Sequence, residues 1–169
     1  MSTVVLGYSG GVDSSVCAEL LRRGGYAPHG LYLDIGLPGG AEDAQRAADH
    51  SGIPLRVLDI RAALEEKVCA PFAQSYLRGE TPNPCILCNP SVKFRALLDY
   101  ADELGGAAIA TGHYARAENG ALYRGRPAND QSYMLCRLTR QQLDRLLLPL
   151  GNMEKAEVRA LAETMALPA

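Results

Sequence analysis

The sequence predicts an α/β fold, a parallel sheet with helices on both faces, followed by a small helical extension. Three observations carry that expectation. Short apolar runs alternate with segments whose apolar residues recur at helical spacing. That alternation implies right-handed βαβ units and hence a parallel sheet. A glycine-rich turn follows the first apolar run, where open parallel sheets hold their ligands. A length of 169 residues suffices for one core without disulfide or metal support.

Residues 3–7 form the first predicted strand, an apolar run closed by glycine. Residues 13–23 carry Val16, Cys17, Leu20 and Leu21 at helical spacing and stop at Gly24-Gly25. A strand over 31–35, a helix over 42–50 and a strand over 55–60 follow. Residues 62–78 read as a longer helix bent at Pro71, because proline has no N–H for the helical ladder. An amphipathic helix over 92–104 puts Phe94, Leu97, Leu98 and Ala101 on one face, and 107–110 is a buried strand of small residues. Beyond Thr111 the pattern changes. Asn119-Gly120 between 114–117 and 121–124 predicts a two-residue hairpin turn. Helices are expected over 132–148 and 155–165. The division is therefore 1–113 for the sheet domain and 114–169 for a hairpin and helical extension packed on it.

Composition narrows the function classes. No window approaches about 18 uninterrupted apolar residues, so neither a membrane span nor a membrane partner is expected. The N-terminus lacks a basic region and a small-residue cleavage site. Five cysteines in such a chain point to a reducing compartment, and the expected location is cytoplasmic. Seventeen basic against nineteen acidic residues give a net charge of −2, so no bulk charge advertises a nucleic acid. Fourteen of the bases are arginine, which grips phosphate in a fork. Between Tyr114 and Arg145, six arginines (116, 124, 126, 137, 140, 145) face Glu118, Asp130 and Asp144, six minus three leaving a surplus of three. That surface either tracks phosphates or is a solvated helix face.

Two segments carry chemistry. Tyr8-Ser9-Gly10-Gly11-Val12-Asp13-Ser14-Ser15 leaves a strand and enters a helix. Its glycines let successive N–H groups and the helix N-terminus face one anion, and Asp13 suits a Mg²⁺ that carries phosphate oxygens. It is neither a Walker A loop nor a G-x-G-x-x-G fingerprint. The competing reading is a plain strand-to-helix turn with Asp13 or Ser14 as N-cap. Thr81-Pro82-Asn83-Pro84-Cys85-Ile86-Leu87-Cys88-Asn89 places two thiols just before the helix expected at Val92. A helix N-terminus, reinforced by Lys93, would lower a thiol pKa there. Half of a zinc site, a redox dithiol, two ligands of an iron–sulfur cluster and inert thiols all remain open.

The string S-G-G-V-D-S resembles the PP-loop of the N-type ATP pyrophosphatases, which release pyrophosphate from ATP on adenylating a substrate. T-P-N-P-C-I-L-C-N followed by V-K-F, then A-T-G-H-Y-A-R, then D-Q-S-Y, resembles the tRNA-specific 2-thiouridylase family. The motifs occur in that order over essentially the whole chain. The resemblance implies a Rossmann-like fold of the adenine nucleotide α-hydrolase/PP-loop type. It implies ATP-dependent sulfur transfer to C2 of the wobble uridine in the tRNA anticodon loop. Cys88 then matches the first catalytic thiol, with Gly7, Tyr8, Ser9, Gly10, Gly11, Val12, Asp13, Ser14, Leu33 and Gly112 at ATP and Asp13 at Mg²⁺. Asn83, Pro84 and Cys85 match positions at the target base, and His113, Asp130 and Gln131 positions at tRNA. Cys85 and Cys88 would also be the ligands of a [4Fe-4S] cluster if one takes part. The sulfur donor would be a cysteine desulfurase relay or inorganic sulfide.

The pattern is broken in places. The family's second catalytic cysteine and its C-terminal barrel lie downstream of residues resembling 155–167. Asn129 stands where a lysine usually precedes D-Q-S-Y, Pro90 follows C-N, and Cys85 replaces a frequent aspartate. The ending at Leu167-Pro168-Ala169 leaves three readings: a truncated catalytic domain, a short relative pairing Cys85 with Cys88, and a non-catalytic tRNA- or ATP-binding remnant. A PP-loop enzyme that adenylates a small metabolite is the other enzymatic alternative. Cys17 and Cys69 read as core thiols, and Cys136, on an apolar helical pattern, as buried.

Overall fold

The computed structural model describes residues 1–167. Pro168 and Ala169, part of the ending weighed above, lie outside the described residues. The chain runs β1 (Ser2–Gly7), α1 (Val12–Arg23), β2 (Tyr26–Asp34), α2 (Gly40–Ser51), β3 (Leu55–Asp59) and α3 (Arg61–Leu64). It continues with α4 (Ala70–Leu77), α5 (Cys85–Cys88), α6 (Phe94–Glu103), β4 (Ala108–Ala110) and a hairpin of β5 (Ala115–Glu118) and β6 (Ala121–Arg124). It closes with α7 (Arg140–Asp144), β7 (Leu146–Leu147) and α8 (Lys155–Thr164).

Five strands form one parallel sheet in the order β3-β2-β1-β4-β7. Because successive side chains of a strand face opposite ways, β1 feeds both layers. Val4 and Leu6 pack with Val16 and Leu21 of α1, Ala47 and Ala48 of α2, and Val158 and Ala162 of α8. Val5 points the other way, with Ile109, into Phe94, Leu97 and Ala101 of α6. A satellite cluster of Ile60, Val68 and Val92 seats the α3–α4 segment. The strand order reverses around β1, which pairs with both β2 and β4. A crevice therefore opens beyond the carboxyl ends of β1 and β4. In the hairpin, Asn119 and Gly120 take φ of 53° and 71°, the doubly positive pair of a type I′ turn.

Three expectations need correction. The helix over 62–78 is not bent at Pro71. A π turn at Glu65–Cys69 joins α3 to α4, and Pro71 sits in the first turn of α4, where its missing N–H costs little. The thiol helix starts at Cys85 rather than near Val92, running through a second π turn (Asn89–Lys93) into α6. The expected helix over 132–148 does not form. Ser132–Leu135 is a 3-10 turn, and a capping box between Thr139 and Gln142 starts α7 afresh. Leu146-Leu147 then joins the sheet edge beside Ile109-Ala110. A short apolar run has no period that separates edge strand from helix, and the unpaired edge of β4 decided it.

The second unit thus shares the core of the first through β7, Leu150, Val158 and Ala162. Leu150 is wholly buried in that cluster. Leu150→Ala should destabilise the chain by about 2–5 kcal/mol, read as a lowered urea midpoint. A loss within about 0.5 kcal/mol would mean that residues 148–154 are not seated on the core.

Candidate active site

The loop between β1 and α1 is shaped for close approach. Gly10 has φ of +80°, and a Cβ there would stand 2.9 Å from Ala44 Cα of α2. The N-cap of α1 is Gly11, with no side-chain capping bond. That corrects the alternative in which Asp13 or Ser14 caps the helix. Ser14 instead donates its hydroxyl to the Gly11 carbonyl at 2.9 Å, and Ser9 accepts the Gly11 N–H at 3.4 Å. The first-turn amides of α1 thus receive no side-chain oxygen, and Asp13 and Ser14 of that turn line the crevice, an arrangement suited to an anion. The Tyr8 hydroxyl turns inward, within 3.1 Å of Ser15 Oγ and 3.2 Å of Ser51 Oγ, while the residue as a whole lines the crevice.

The opposite wall is the loop after β4. Gly112 passes within 3.5–3.7 Å of Asp13 for an added Cβ, a close but ordinary contact. Tyr114, buried, donates its hydroxyl to Asp13 Oδ1 at 2.9 Å. Burial and then the Asp13 carboxylate push the Tyr114 phenol well above its usual range. Thr111 Oγ1 lies 2.8 Å from His113 Nδ1, and burial followed by the Lys93 charge lowers the His113 pKa to about 3. His113 is therefore neutral in the crevice. Gln131 brackets Tyr114, accepting its N–H at 3.1 Å and donating its own N–H to the Tyr114 carbonyl at 2.9 Å. Asp130 is occupied locally. Partial burial pushes its carboxyl up, but N–H donors of Gly125 and Ser132, the Ser132 hydroxyl and Arg124 hold it below the usual range.

Gly7, Tyr8, Ser9, Asp13, Ser14, Leu33, Gly112, His113 and Gln131 line one cavity of about 350 Å³, together with Lys93 and Met134. Gly10, Gly11 and Val12 lie on the flanks of the same loop. Asn83, Pro84, Cys85, Cys88 and Asp130 are not in that lining. The thiol helix is tied to it from beside, since Asn89 Nδ2 donates to the Met134 carbonyl at 2.8 Å. Asn83 Oδ1 accepts the Cys85 N–H at 3.0 Å and so starts α5. Lys93, one π turn beyond Cys88, is the residue common to both places.

The thiols differ from expectation. Cys88 lies at the fourth position of α5, its N–H already given to the Pro84 carbonyl at 2.9 Å, and packs against the Val68 cluster. Burial pushes its thiol up, Lys93 opposes this, and Cys85 and Cys69 add to the rise. The net direction is upward, which corrects the thiolate expected from a helix N-terminus. Cys17 is buried as expected, but Cys69 and Cys136 are both exposed. Cys69 ends the π turn and Cys136 follows the 3-10 turn, so neither keeps the helical face assumed for it. Among the described residues no three His, Cys, Asp or Glu side chains stand together as a ligand set. Cys85 and Cys88 therefore have no third protein donor for a cluster among the described residues.

Sequence reading passed over Lys155 and Arg159, which line a second cleft at the same loop, with Lys155 Nζ 3.5 Å from Asp13 Oδ2. Their one signal was the i, i+4 spacing of two cations on a short amphipathic helix, which many solvated helices share. Of the six arginines in the local surplus, four pair with carboxylates: Arg116, Arg124, Arg140 and Arg145. Tyr123 and Tyr133 are exposed beside them, with Arg116 stacked over the Tyr123 ring at 5.5 Å.

A parallel sheet whose switch point holds a glycine loop, an uncapped helix start and a half-buried neutral histidine has the architecture of a nucleotide-binding α/β domain. The chain belongs to the family described as the tRNA methyl transferase HUP domain, which it matches over residues 2–169. It is 47% identical over 187 aligned positions to the tRNA-specific 2-thiouridylase MnmA of Sinorhizobium fredii, covering 97% of this chain and 47% of that protein. It is 44% identical to the enzyme of the same name from Thermus thermophilus, covering 99% of this chain and 52% of that protein. The chain thus spans about half the length of the curated relatives it matches. Among solved structures it resembles a predicted subunit of tRNA methyltransferase from Methanocaldococcus jannaschii, with TM-score 0.63 and 23% identity over 97% of this chain and 76% of that one. It also resembles the NH3-dependent NAD synthetase of Campylobacter jejuni, with TM-score 0.60 and 22% identity over 99% of this chain and 66% of that one. These two likenesses show the Rossmann-like fold. No helix of the described residues is long and apolar enough to cross a membrane.

Two outcomes follow from the charges. Unfolded, His113 takes up a proton below about 6.5, whereas in the fold it does so only near 3. The unfolded state binds more protons in that window, so this residue makes stability fall as pH drops through it. In His113→Gln the drop in urea midpoint between about pH 7 and about pH 4.5 should be smaller than in the native chain. Lys93→Met should raise the Cys88 thiol further. In a Cys85→Ser background its alkylation at about pH 8 should slow several-fold, as measured by peptide mass spectrometry, and an unchanged rate would show that Lys93 does not act on it.

Proposed function

We propose that the chain is the ATP-using catalytic domain of a tRNA uridine 2-sulfurtransferase. The observation that carries this is the meeting, at one switch point, of the uncapped α1 loop, the Gly112-His113 wall and Lys93, which also faces Cys88. The named relatives, tRNA-specific 2-thiouridylases, support the same reading. Residues 1–113 carry the glycine loop and most of the ATP half, and 114–169 form the extension that faces tRNA while lending α8 to the flank of that loop.

The loop from Gly7 to Ser14, with Leu33 and Gly112, holds ATP. Its glycines and the α1 amides take phosphate oxygens, while the apolar Leu33 offers a surface to the nucleoside. Asp13 fits a Mg²⁺ bound through one carboxylate and substrate phosphates, a habit of that ion, and the ion supplies neutralisation of phosphate charge. The uracil C2 oxygen is a poor leaving group. It attacks the α-phosphorus, the bond to the bridging oxygen breaks, and pyrophosphate leaves with the electron pair. A persulfide sulfur carried by Cys88 then attacks C2, and AMP departs with the former C2 oxygen. A second thiol cleaves the S–S bond, taking Cys88 into a disulfide and leaving sulfur on C2. Cys85 is the nearest candidate in sequence for that thiol. The persulfide sulfur comes from a cysteine desulfurase relay, which hands it over already at the sulfane level, whereas inorganic sulfide, the other donor, attacks C2 directly with no persulfide on Cys88; the setting is cytoplasmic. No step runs through an iron–sulfur cluster, because the donor set does not fit one.

Asn83, Pro84 and Cys85 form a stiff shelf for an unstacked base. His113, Asp130, Gln131 and the exposed Tyr123 and Tyr133 would contact the anticodon loop, whose unpaired bases stack on aromatic rings. The test is incubation of the chain with tRNA, Mg-ATP and a persulfide-level sulfur donor, followed by nucleoside mass spectrometry. Thiolated uridine is expected, and Cys88→Ala should abolish it while ATP still binds. Thiolation retained in that variant would show that the nucleophile is elsewhere. ATP binding without any thiolated uridine in the native chain would overturn the catalytic reading of this domain.

A further inference from the structure

We infer that α8 supplies the cationic half of the phosphate site: Lys155 and Arg159 receive the departing pyrophosphate in a cleft separate from the nucleoside cavity. This rests on the reading of the glycine loop as an ATP site. A cleft of about 300 Å³ lies between that loop and α8, lined by Ser9, Gly11, Val12, Asp13, Lys155 and Arg159. Ser9 and Asp13 also line the larger cavity, so they form the wall between the two. A triphosphate whose nucleoside occupies the larger cavity can reach past that wall, with its terminal phosphates in the smaller cleft.

The cations are placed by the core. Val158 and Ala162 are buried against α1, and a capping box between Glu154 and Glu157 fixes the first turn of α8. Positions 155 and 159, one turn apart, then share the neighbouring face of the helix. Lys155 meets Asp13 only loosely, at 3.5 Å, with both side chains partly exposed. Arg159 makes no ion pair or hydrogen bond among the described residues, although it stands close enough to Tyr114 to oppose the rise in its pKa. An ammonium and a free guanidinium fork beside the α1 amides form a receptor for a polyanion. When the α-phosphorus takes the uracil oxygen, negative charge accumulates on the leaving β- and γ-phosphates, on the side of the wall where these cations stand.

The experiment is calorimetric titration of the native chain with inorganic pyrophosphate, AMP and ATP in Mg²⁺. Lys155→Gln and Arg159→Gln should each weaken pyrophosphate and ATP about tenfold to a hundredfold while leaving AMP unchanged. Lys155→Arg should restore most of the loss, which a folding defect would not allow. Both positions are exposed, and an unchanged urea midpoint checks the fold. Pyrophosphate bound as tightly by the variants as by the native chain would overturn the clamp while leaving the ATP site standing. Equal weakening of AMP would overturn the division into two clefts. A native chain that binds neither ATP nor pyrophosphate would remove the ATP reading itself, and the clamp with it.

Discussion

Asp13 is the point on which the site depends. Its carboxylate takes the hydroxyl of Tyr114 at 2.9 Å on one oxygen and faces the Lys155 ammonium at 3.5 Å on the other. Those three residues come from the first helix, the loop after the fourth strand and the last described helix. Each partner is anchored by burial elsewhere: Tyr114 in the core and bracketed by Gln131, α8 through Val158 and Ala162. The carboxylate therefore binds the glycine loop to the rest of the molecule without capping α1, and the helix amides stay available. A side-chain cap at the same place would have gained helix stability of about 1 kcal/mol and removed the anion site.

The reactive side of the molecule shows the opposite compromise. Cys88 is drawn into a continuous helix and half-buried against Val68 and Val92, which stabilises the thiol form. Lys93, a little over one turn further on, is the element that opposes burial and also reaches the crevice at the switch point. The same lysine helps keep His113 neutral, so the cavity wall adds a hydrogen-bonding ring without a second full charge. Burial is the larger cause at both Cys88 and His113, and one cation between them adjusts each: it opposes burial at the thiol and adds to it at the imidazole.

Much of the architecture was legible because it rests on local signals. The first helix, the Asn119-Gly120 turn and the run of parallel strands follow from spacing and turn chemistry, and the glycine loop stands where the motif placed it. The errors share a cause. Residues 132–148 carry leucines that suit a helix, yet the free edge of β4 captured Leu146-Leu147 as a strand. Cys69 and Cys136 fit buried helical faces in the sequence, but a π turn and a 3-10 turn displace those faces and leave both thiols exposed. The helix N-terminus that the sequence puts just beyond Cys88 lies three residues before it, at Cys85.

The sequence by itself determined the glycine loop, the two-thiol segment, the hairpin and the family to which the chain belongs, because each is written in contiguous residues. Only the tertiary structure decided which thiols are exposed, which way the Cys88 pKa moves, and that Lys155 and Arg159 stand over the loop more than a hundred residues upstream. The physical reason is that burial and charge proximity are properties of packed surfaces. They depend on how the sheet orders its strands, and that order brings α1, the loop after β4 and α8 to a single carboxylate.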